Sequence, residues 1–436
     1  MLSTYTTKFG KYIDFYGGVD FRYYKGTHTN EISDLYGGQY FMDSTRGKVL
    51  AENNIAAADP MWKYEKLGVG DVVYRDYDGH VMQEGAFFQS EFNKDKLSAF
   101  VAGSLSNTTY WRYDRLFYDK AHAKSDKVSF LGFTAKGGAN YNITENHNVF
   151  FNLGYISRAP KFSYGAFMQA NASHAINKDA KNEKVLSFEL GYGFRNSWLT
   201  ANVNAYWTKW LDKAMTKSGQ LDNQAEYYMN MTGVNALHKG VELDVKVTPV
   251  KWLDITGMFS LGDWKWDSNA TGYAYDDKGM PLKKDGTQAS GIAAPDHVSA
   301  SINLKGVRVG GSAQTTAALG ATFKIGKSIR VGADWTYYGR NYAYYSFSGS
   351  NLRLEEEISI AEPWKVPAAS QIDMNASYRF KLGKLDATLS GNVNNLLDYQ
   401  YISKAYNPKS GVVSEETIYC YYAFGRTYSL RLRVNF

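Results

Sequence analysis

Few residues in this sequence have the types and spacing that catalysis or metal binding requires. The signatures GxSxG and HExxH, a phosphate-binding loop, and a GxGxxG that follows a strand are all missing from the 436 residues. Residues 76–79 (Asp-Tyr-Asp-Gly) begin like a calcium loop, but the further ligands and the terminal Glu of such a loop are missing. We therefore predict no catalytic residues, no metal site and no cofactor, and so no enzyme.

The histidines and the single cysteine support the same prediction. The seven His are dispersed without a pair at metal-ligand spacing, so we expect them at solvated loop or turn positions. Examples are His28, His80, His147 and His238. Cys420 is the only cysteine, which excludes an intrachain disulfide framework and any CxxC motif.

Aromatic residues are the more numerous candidates for binding, at 16% of the chain with 35 Tyr and 10 Trp. Many crowd predicted strand ends beside long loops, where the simpler interpretation is a girdle of amphipathic rings at a membrane interface. For rings at inward-facing or loop positions, the alternative is stacking on a ligand. The substrate-facing candidates, aromatic except for one arginine, are Arg158, Tyr164, Trp264, Trp266, Tyr342, Tyr344 and Tyr345.

The elements that must position these residues are strands with two different faces, and the last ten residues show this most clearly. From Thr427 onward apolar side chains alternate with Ser, Arg and Asn, as in a strand with one apolar and one polar face. A soluble sheet seldom ends on such an edge, whereas a barrel strand in lipid is paired and meets acyl chains. The apolar residues of this strand, which we predict to serve in barrel assembly, are Tyr428, Leu430, Leu432, Val434 and Phe436.

The same alternation recurs along the chain in about 14 strands, which predicts an all-β fold, a transmembrane antiparallel β-barrel. In residues 182–208, two alternating runs are joined by the two-residue turn Asn196-Ser197, a strong hairpin signal. Short turns near residues 93, 146, 196, 250, 327 and 384 alternate with longer connections. The longer ones mostly cover 25–83, 119–126, 163–182, 218–236, 271–296, 348–368 and 407–416. We predict that the short turns are periplasmic and the long loops extracellular.

Composition argues against several other classes of protein. No run approaches the ~18 apolar residues that a transmembrane helix requires. The net charge of +6 is spread without a basic run, which argues against nucleic-acid binding. The first residues lack the apolar core and cleavage site of a signal peptide. Because an outer-membrane barrel must be exported, we expect that the chain lacks its natural start.

Four segments resemble TonB-dependent outer-membrane receptors. Residues 425–436 resemble their terminal strand, and residues 392–401 (NVNNLLDYQY) resemble their penultimate strand. Residues 157–162 (SRAPKF) resemble a strand end of these receptors, and residues 182–192 resemble their ELGY hairpin. The resemblance runs from about residue 150 to the end, and it is specific in combination although each motif alone is weak.

The resemblance implies a 22-stranded barrel plugged by an N-terminal domain. Residues 1–436 are then a single, partial barrel domain without plug, TonB box or first strands. The implied function is TonB-energised uptake of a scarce, bulky ligand (a metal chelate, haem, cobalamin or glycan) in the outer membrane of a Gram-negative bacterium. The implied partners are outer-membrane lipid, TonB, the plug, the imported ligand and the barrel-assembly machinery, which binds the C-terminal strand.

Two alternatives remain open at this point. A complete, passive 14-stranded porin explains the alternation but not the motifs or the missing signal peptide. A soluble β-sandwich or propeller enzyme explains the missing signal peptide alone. For a receptor, we expect ligand contacts from the loops at 25–83, 163–182, 218–236, 271–296 and 348–368, and we do not predict which ligand they bind.

Overall fold

The chain is almost entirely β-structure. The computed structural model describes residues 1–48, 55–168, 173–220, 226–276, 280–283, 285–289, 298–344, 357–408 and 412–435. The helical segments in these ranges are 3-10 turns at Ser44–Lys48 and Trp62–Tyr64 and the single-turn helix α1 at Ile55–Ala58. In the described part of the chain, no helix has the length and apolar character needed to span a membrane.

The strands follow one another with few other elements between them. In chain order they are β1 Leu2–Phe9, β2 Ile13–Glu31, β3 Val72–Lys94, β4 Leu97–Asp114, β5 Val128–Asn142, β6 His147–Arg158, β7 Glu183–Arg195, β8 Leu199–Gln220, β9 Glu226–Val250, β10 Leu253–Trp266, β11 Ala270–Tyr275, β12 Ser299–Asn303, β13 Thr315–Ile325, β14 Ile329–Gly339, β15 Asn341–Tyr342, β16 Glu357–Ser359, β17 Lys365–Val366, β18 Ala369–Leu382, β19 Leu385–Asn394, β20 Ile402–Tyr406, β21 Tyr419–Tyr422 and β22 Thr427–Asn435.

Fifteen of these strands form one antiparallel sheet, which we call the wall. Its order is β1 to β10, then β13, β14, β18, β19 and β22, each paired with the next. The predicted all-β fold of two-faced strands is confirmed, with one strand, β1, that the sequence pattern missed. Within the described residues, β1 and β22 are each paired on one side only.

Short turns join the strands at one end of the wall, as predicted. In the hairpin of β7 and β8, the Asn196 side chain accepts hydrogen bonds from the backbone N–H groups of Trp198 (3.0 Å) and Leu199 (2.7 Å). Gly326 and Gly383 have φ values of +60° and +64° in two other turns. Glycine adopts this left-handed conformation without steric cost, so these turns need only a few residues.

The register places the alternating apolar side chains of neighbouring strands on the same face. Leu190 of β7 is opposite Phe151 on one side and Ala205 on the other, and Ala205 is opposite Val241. Leu190 and Val241 are 52% and 48% exposed, so this apolar face is not covered by the rest of the chain. An uncovered apolar surface that crosses fifteen strands indicates contact with lipid.

Several strands extend further than predicted, because backbone pairing continues where the outward side chains become polar. The predicted loop 25–83 is reduced to residues 32–71, and most of 218–236 belongs to β8 and β9. The loop expected at 271–296 contains β11. The expected loop or turn positions of the four histidines were wrong: all four belong to strands, namely His28 to β2, His80 to β3, His147 to β6 and His238 to β9.

A smaller sheet, the upper sheet, extends the wall at the end opposite to the short turns. Strand β11 pairs with the upper part of β9 and with β12, and β12 pairs in parallel with β16. Its core is apolar and fully covered. The members of this core include Met229, Met231, Val298, Ile302 and Leu304.

Candidate functional site

The second face of the wall, opposite to the apolar one, is lined by hydrogen-bonded polar side chains. Asn152 donates to the Glu189 carboxylate of the neighbouring strand at 3.1 Å. Ser187 and Thr208 are 2.9 Å apart between β7 and β8. Neutral and acidic groups of this kind hydrate well, so this polar face suits a water-filled interior.

An aromatic cluster lies on the polar face near the upper end of β10, beside the middle parts of β8 and β9. The Trp264 indole N–H donates to the Tyr206 hydroxyl at 2.9 Å. The ring of His238 is 5.4 Å from that of Trp264. Burial of apolar ring area with one satisfied polar atom is the usual way in which Trp and Tyr form a rigid surface for contact.

Two glycines make room for this cluster. Gly240 and Gly262 are opposite each other in β9 and β10. A Cβ atom at Gly262 would be 2.6 Å from Trp264 Nε1, and one at Gly240 would be 2.6 Å from the Tyr206 hydroxyl. Both distances are too short for any side chain, so the two rings depend on glycine at both positions.

Arg158 forms a second polar feature, at the end of β6. Its guanidinium donates two hydrogen bonds to one oxygen of Glu183, at 2.5 and 3.1 Å. The Glu183 side chain is 8% exposed and that of Arg158 is 56% exposed. Two cations lie near the Trp210 ring, the Arg158 guanidinium at 6.0 Å and Lys213 Nζ at 4.9 Å from its centroid. Arg158 is thus fixed by a carboxylate but still open to an anionic or aromatic group.

The connection between β6 and β7 folds over the polar face of β3 and β4. We call its described residues, 159–168 and 173–182, the folded-in loop. Phe162 packs edge-on against Tyr110 of β4, with ring centroids 5.6 Å apart, and against Phe167 at 5.0 Å. The Tyr110 hydroxyl donates to the Pro160 carbonyl at 2.9 Å. This packing places the loop on the interior side of the wall.

A buried ion pair fixes the other half of the folded-in loop. Arg112 and Asp114 of β4 are 0% exposed and their charged atoms are 3.6 Å apart. The Arg112 guanidinium also donates to the Ser173 carbonyl and lies 4.3 Å from the Tyr77 ring. Asp114 accepts from two backbone N–H groups. A buried charge is costly unless it is paired and hydrogen-bonded, so this arrangement holds the loop in one place.

The packing of His174 in the folded-in loop requires a neutral imidazole ring. Its ring stacks on Tyr118 with centroids 3.8 Å apart, and Nε2 is 3.1 Å from the Ala123 carbonyl. Its Nδ1 is buried with no hydrogen-bond partner among the described residues. Burial, and then the positive charge of Arg112, lowers the pKa of His174 to about 4. Protonation would therefore place a second, unsolvated charge beside Arg112.

A hydrogen bond between distant parts of the chain links the folded-in loop to the upper sheet. The Tyr275 hydroxyl of β11 donates to the Asp179 carboxylate at 2.6 Å, across 96 residues of sequence. Burial and the nearby Asp179 carboxylate raise the pKa of Tyr275, so the phenol stays protonated and continues to donate. The loop and the upper sheet therefore lie side by side above the polar face.

The structure separates the predicted substrate-facing residues into different places. Trp264 belongs to the aromatic cluster, whereas Trp266 packs against the core of the upper sheet. Both are paired through their backbones with residues 306–309, and Arg308 of that segment lies 5.2 Å over the Tyr342 ring. Tyr344 stacks on Tyr406 at 5.3 Å.

The other predicted residues belong to different elements or lie outside the described ranges. Arg158 ends β6, and Tyr164 belongs to the folded-in loop, with a φ value of +58° and 44% exposure. Tyr345 lies outside the described residues, as does Phe436 of the predicted assembly strand. The assembly-strand residues that are described, Tyr428 to Val434, belong to β22.

Sequence reasoning missed the residues that fix the folded-in loop. Tyr206 lies within the predicted hairpin at 182–208, whereas finding His238 on the polar face needs the alternation of β9 to be extended towards its start. Arg112 and Ser173 are 61 residues apart and no local pattern predicts their contact.

Residues 76–79 do not form a calcium loop, because Asp76 and Asp78 belong to β3 and pair with Arg115 at 2.5 and 2.9 Å. Among the described residues, no three His, Cys, Asp or Glu side chains converge as a metal site would require.

A family model and several solved structures are similar to this chain. A family model described as TonB dependent receptor-like, beta-barrel matches residues 2–396. The comparison with curated proteins found no match. Among solved structures, the ferric-catecholate import receptor Fiu from K12 E. coli is similar, with 16% identity, a TM-score of 0.55, and coverage of 98% of this chain and 53% of that one.

Two further structures show the same likeness. The copper transporter OprC has 13% identity and a TM-score of 0.59, over 98% of this chain and 54% of that one. The siderophore receptor PiuA from Acinetobacter baumannii has 17% identity and a TM-score of 0.56, over 99% and 54%. At these identities the likeness concerns the fold, and the chain spans about half the length of these structures.

The family match covers most of the sequence and agrees with the two-faced wall. Barrels of this family reside in the outer membrane of Gram-negative bacteria, and they are transporters rather than enzymes. The apolar face of the wall is therefore the lipid-facing face, and the polar face lines the lumen. The chain belongs to the TonB-dependent receptor-like β-barrel family.

Proposed function

We propose that this chain is the barrel wall of an outer-membrane receptor that imports a scarce, bulky ligand with energy transmitted by TonB. The family match over residues 2–396 is the observation that carries the proposal. On this proposal, residues 1–436 form one partial barrel domain whose edge strands, β1 and β22, pair with further strands of the receptor. A plug domain then occupies the lumen, and the apolar residues of β22 are recognised by the barrel-assembly machinery.

A metal chelate is the ligand class that the chain supports best. The similar structures include a ferric-catecholate import receptor, a siderophore receptor and a copper transporter. In this chain, the surface of Trp264 and Tyr206 and the open side of Arg158 supply an aromatic contact and a cation on the lumen side. Rings and guanidinium groups of this kind bind aromatic and anionic ligands. Haem, cobalamin and glycans are the other ligands to be tested.

The experiment is uptake of labelled ligands by the host, with and without a functional TonB. Loss of uptake when either the receptor or TonB is deleted is the expected result. Uptake of small solutes that does not depend on TonB would favour the passive porin instead. The intact mass of the protein from purified outer membranes is the second measurement, since a species of these 436 residues alone would contradict a partial barrel.

Substitutions test the site itself. Trp264→Ala should weaken ligand binding about tenfold or more, because an aromatic contact contributes on the order of 1–3 kcal/mol. Trp335→Ala is the matched control, since Trp335 lies on the lipid-facing side, opposite Leu319, and is 37% exposed. Equal effects of the two substitutions would contradict the assignment of the aromatic cluster to ligand binding.

A further inference from the structure

The last strand of the wall, β22, reaches its neighbour β19 through a long connection. Residues 395–426, 32 in all, lie between the two strands and contain the hairpin of β20 and β21. A short turn fixes the register of the strands that it joins, but a connection of this length does not. The sequence of β22 does not fix the register either, because residues 430–433 (Leu-Arg-Leu-Arg) repeat every two residues. A slip of two residues would keep leucine and arginine on their own faces, so a contact beyond alternation must select the register.

The two ends of this connection meet where it leaves the wall. Asn395, directly after β19, is 2% exposed. Its amide nitrogen donates to the Tyr399 carbonyl at 2.9 Å and to the Phe424 carbonyl at 3.4 Å, and its amide oxygen accepts from the Tyr399 N–H at 3.0 Å. Tyr399 lies on the outgoing end of the connection and Phe424 on the returning end. One buried side chain therefore ties the two ends together.

A second contact holds the returning chain one residue before β22 begins. The Asp398 carboxylate accepts a hydrogen bond from the Arg426 backbone N–H at 2.7 Å. Thr427 then follows opposite Asn394, and the Asn394 side chain donates to its hydroxyl at 3.1 Å. A Cβ atom at Gly425 would be 2.8 Å from the same Asp398 oxygen, so this close approach requires glycine. The contact thus selects Thr427 as the first residue that pairs with β19.

Strand β18 fixes the turn that carries these contacts. The Asn395 backbone N–H donates to the Asp373 carboxylate at 2.7 Å, and the Leu396 N–H donates to the Ile372 carbonyl at 2.7 Å. Asn395 and Asp398 have φ values of +52° and +56°, in the left-handed region where Asn and Asp occur more often than most side chains. The turn is therefore built on β18 and β19, and it presents hydrogen-bonding groups in fixed positions to the returning chain.

We call Asn395, Asp398, Gly425 and Arg426 the register clamp. We propose that the register clamp sets the register of β22 on β19, and that the hairpin of β20 and β21 does not contribute to it. The clamp excludes a slip of one residue, which would turn the arginines of β22 towards lipid and its leucines towards the lumen. It also excludes a slip of two residues, which would preserve the faces but move β22 by about 7 Å along its axis. The proposal concerns the wall, so it does not depend on which ligand the receptor imports.

Disulfide cross-linking in the receptor expressed in the outer membrane of its host measures the register. The background carries Cys420→Ser, so that the introduced cysteines are the only ones in residues 1–436. Asn392 is opposite Ser429, so Asn392→Cys with Ser429→Cys reports the native register. Asn392→Cys paired with Arg431→Cys, or with Thr427→Cys, reports a slip of two residues in one direction or the other. In the native register these last two pairs are diagonal neighbours about 7–8 Å apart, which is too far for a disulfide.

Glycine substitutions remove the clamp side chains but keep the left-handed backbone, which alanine would strain. In Asn395→Gly, the ratio of native to slipped cross-link should fall about tenfold or more, because several hydrogen bonds are lost. In Asp398→Gly, which loses the hydrogen bond to Arg426, the ratio should fall about fivefold. Asp398→Asn keeps an acceptor oxygen at this position, so it should keep the native register without the charge.

Two controls separate the register clamp from its surroundings. Asp95 has a φ value of +50° in the turn between β3 and β4, so Asp95→Gly makes the same kind of change elsewhere and should not alter the ratio. Replacement of residues 402–422 by a flexible linker of Gly and Ser should leave the native cross-link in place. A slipped register in that linker variant would overturn the proposal, because the hairpin would then set the register. An unchanged ratio in the glycine variants would overturn it as well, and Asp398→Gly decides the question if Asn395→Gly does not assemble.

Discussion

Acid should release the folded-in loop, because His174 must stay neutral to keep its place. The pKa of His174 lies at about 4 in the folded protein, below its ordinary value of 6.5, owing to burial and then to Arg112. A histidine whose pKa is lowered by folding stabilises the folded state above pH 6.5, and this contribution is lost as the pH falls towards 4. This pKa difference makes the full contribution to stability about 3 kcal/mol. About 2 kcal/mol of it is lost by pH 5.

Hydrogen exchange of loop peptides, read by mass spectrometry and corrected for the intrinsic pH dependence of exchange, measures this effect. Local opening governs exchange in such a loop, so a loss of about 2 kcal/mol increases opening about thirtyfold. The wild-type peptide at 173–182 should therefore lose protection between pH 7.5 and pH 5. In the variant His174→Gln, the side-chain amide can still donate to the Ala123 carbonyl but takes up no proton, so the protection should not depend on pH.

A substitution at His147 is the control for this experiment. His147 lies at the far end of the wall, where its ring nitrogen is 2.6 Å from the Tyr192 hydroxyl, so His147→Gln should keep the acid response of the loop. An equal acid response in His174→Gln would refute the reasoning, because another group would then be the one that titrates. Wild-type protection that stays constant down to pH 5 would refute it as well.

Three further substitutions, and one control substitution, test the wall and its packing. Gly262→Ala should displace the Trp264 ring and destabilise the barrel by about 1–3 kcal/mol, which denaturant unfolding measures. Val203→Arg, on the lipid-facing side, should destabilise the barrel by about 2–4 kcal/mol in refolding into lipid vesicles. Asn202→Arg, on the lumen side of the same strand, should cost much less, and equal costs would contradict the assignment of the two faces. Arg112→Met should cost about 3–5 kcal/mol, because it leaves a buried carboxylate without its partner. Proteolysis of the folded-in loop should rise with that change, and unchanged protease resistance would show that the ion pair does not hold the loop.

The sequence by itself determined the two-faced wall. Alternation is a local property, so the hairpin at residues 182–208 and the apolar residues of β22 were predicted correctly from it. Strand β1 was missed because its lipid-facing side includes Ser3 and Thr7, which weakens the alternation. The length of β8 and β9 was underestimated for a related reason, since apolar alternation ends at the edge of the lipid band whereas backbone pairing does not.

Only the tertiary structure decided which residues meet on the lumen side. The contact of Arg112 with Ser173 and the hydrogen bond of Tyr275 with Asp179 join segments 61 and 96 residues apart, which no local pattern encodes. The rows of lipid-facing side chains likewise depend on the register between neighbouring strands, and a shift of one residue would turn the apolar side chains of a strand to the other face. Periodicity shows that a strand has two faces, but only the register shows which residues of different strands meet on each face.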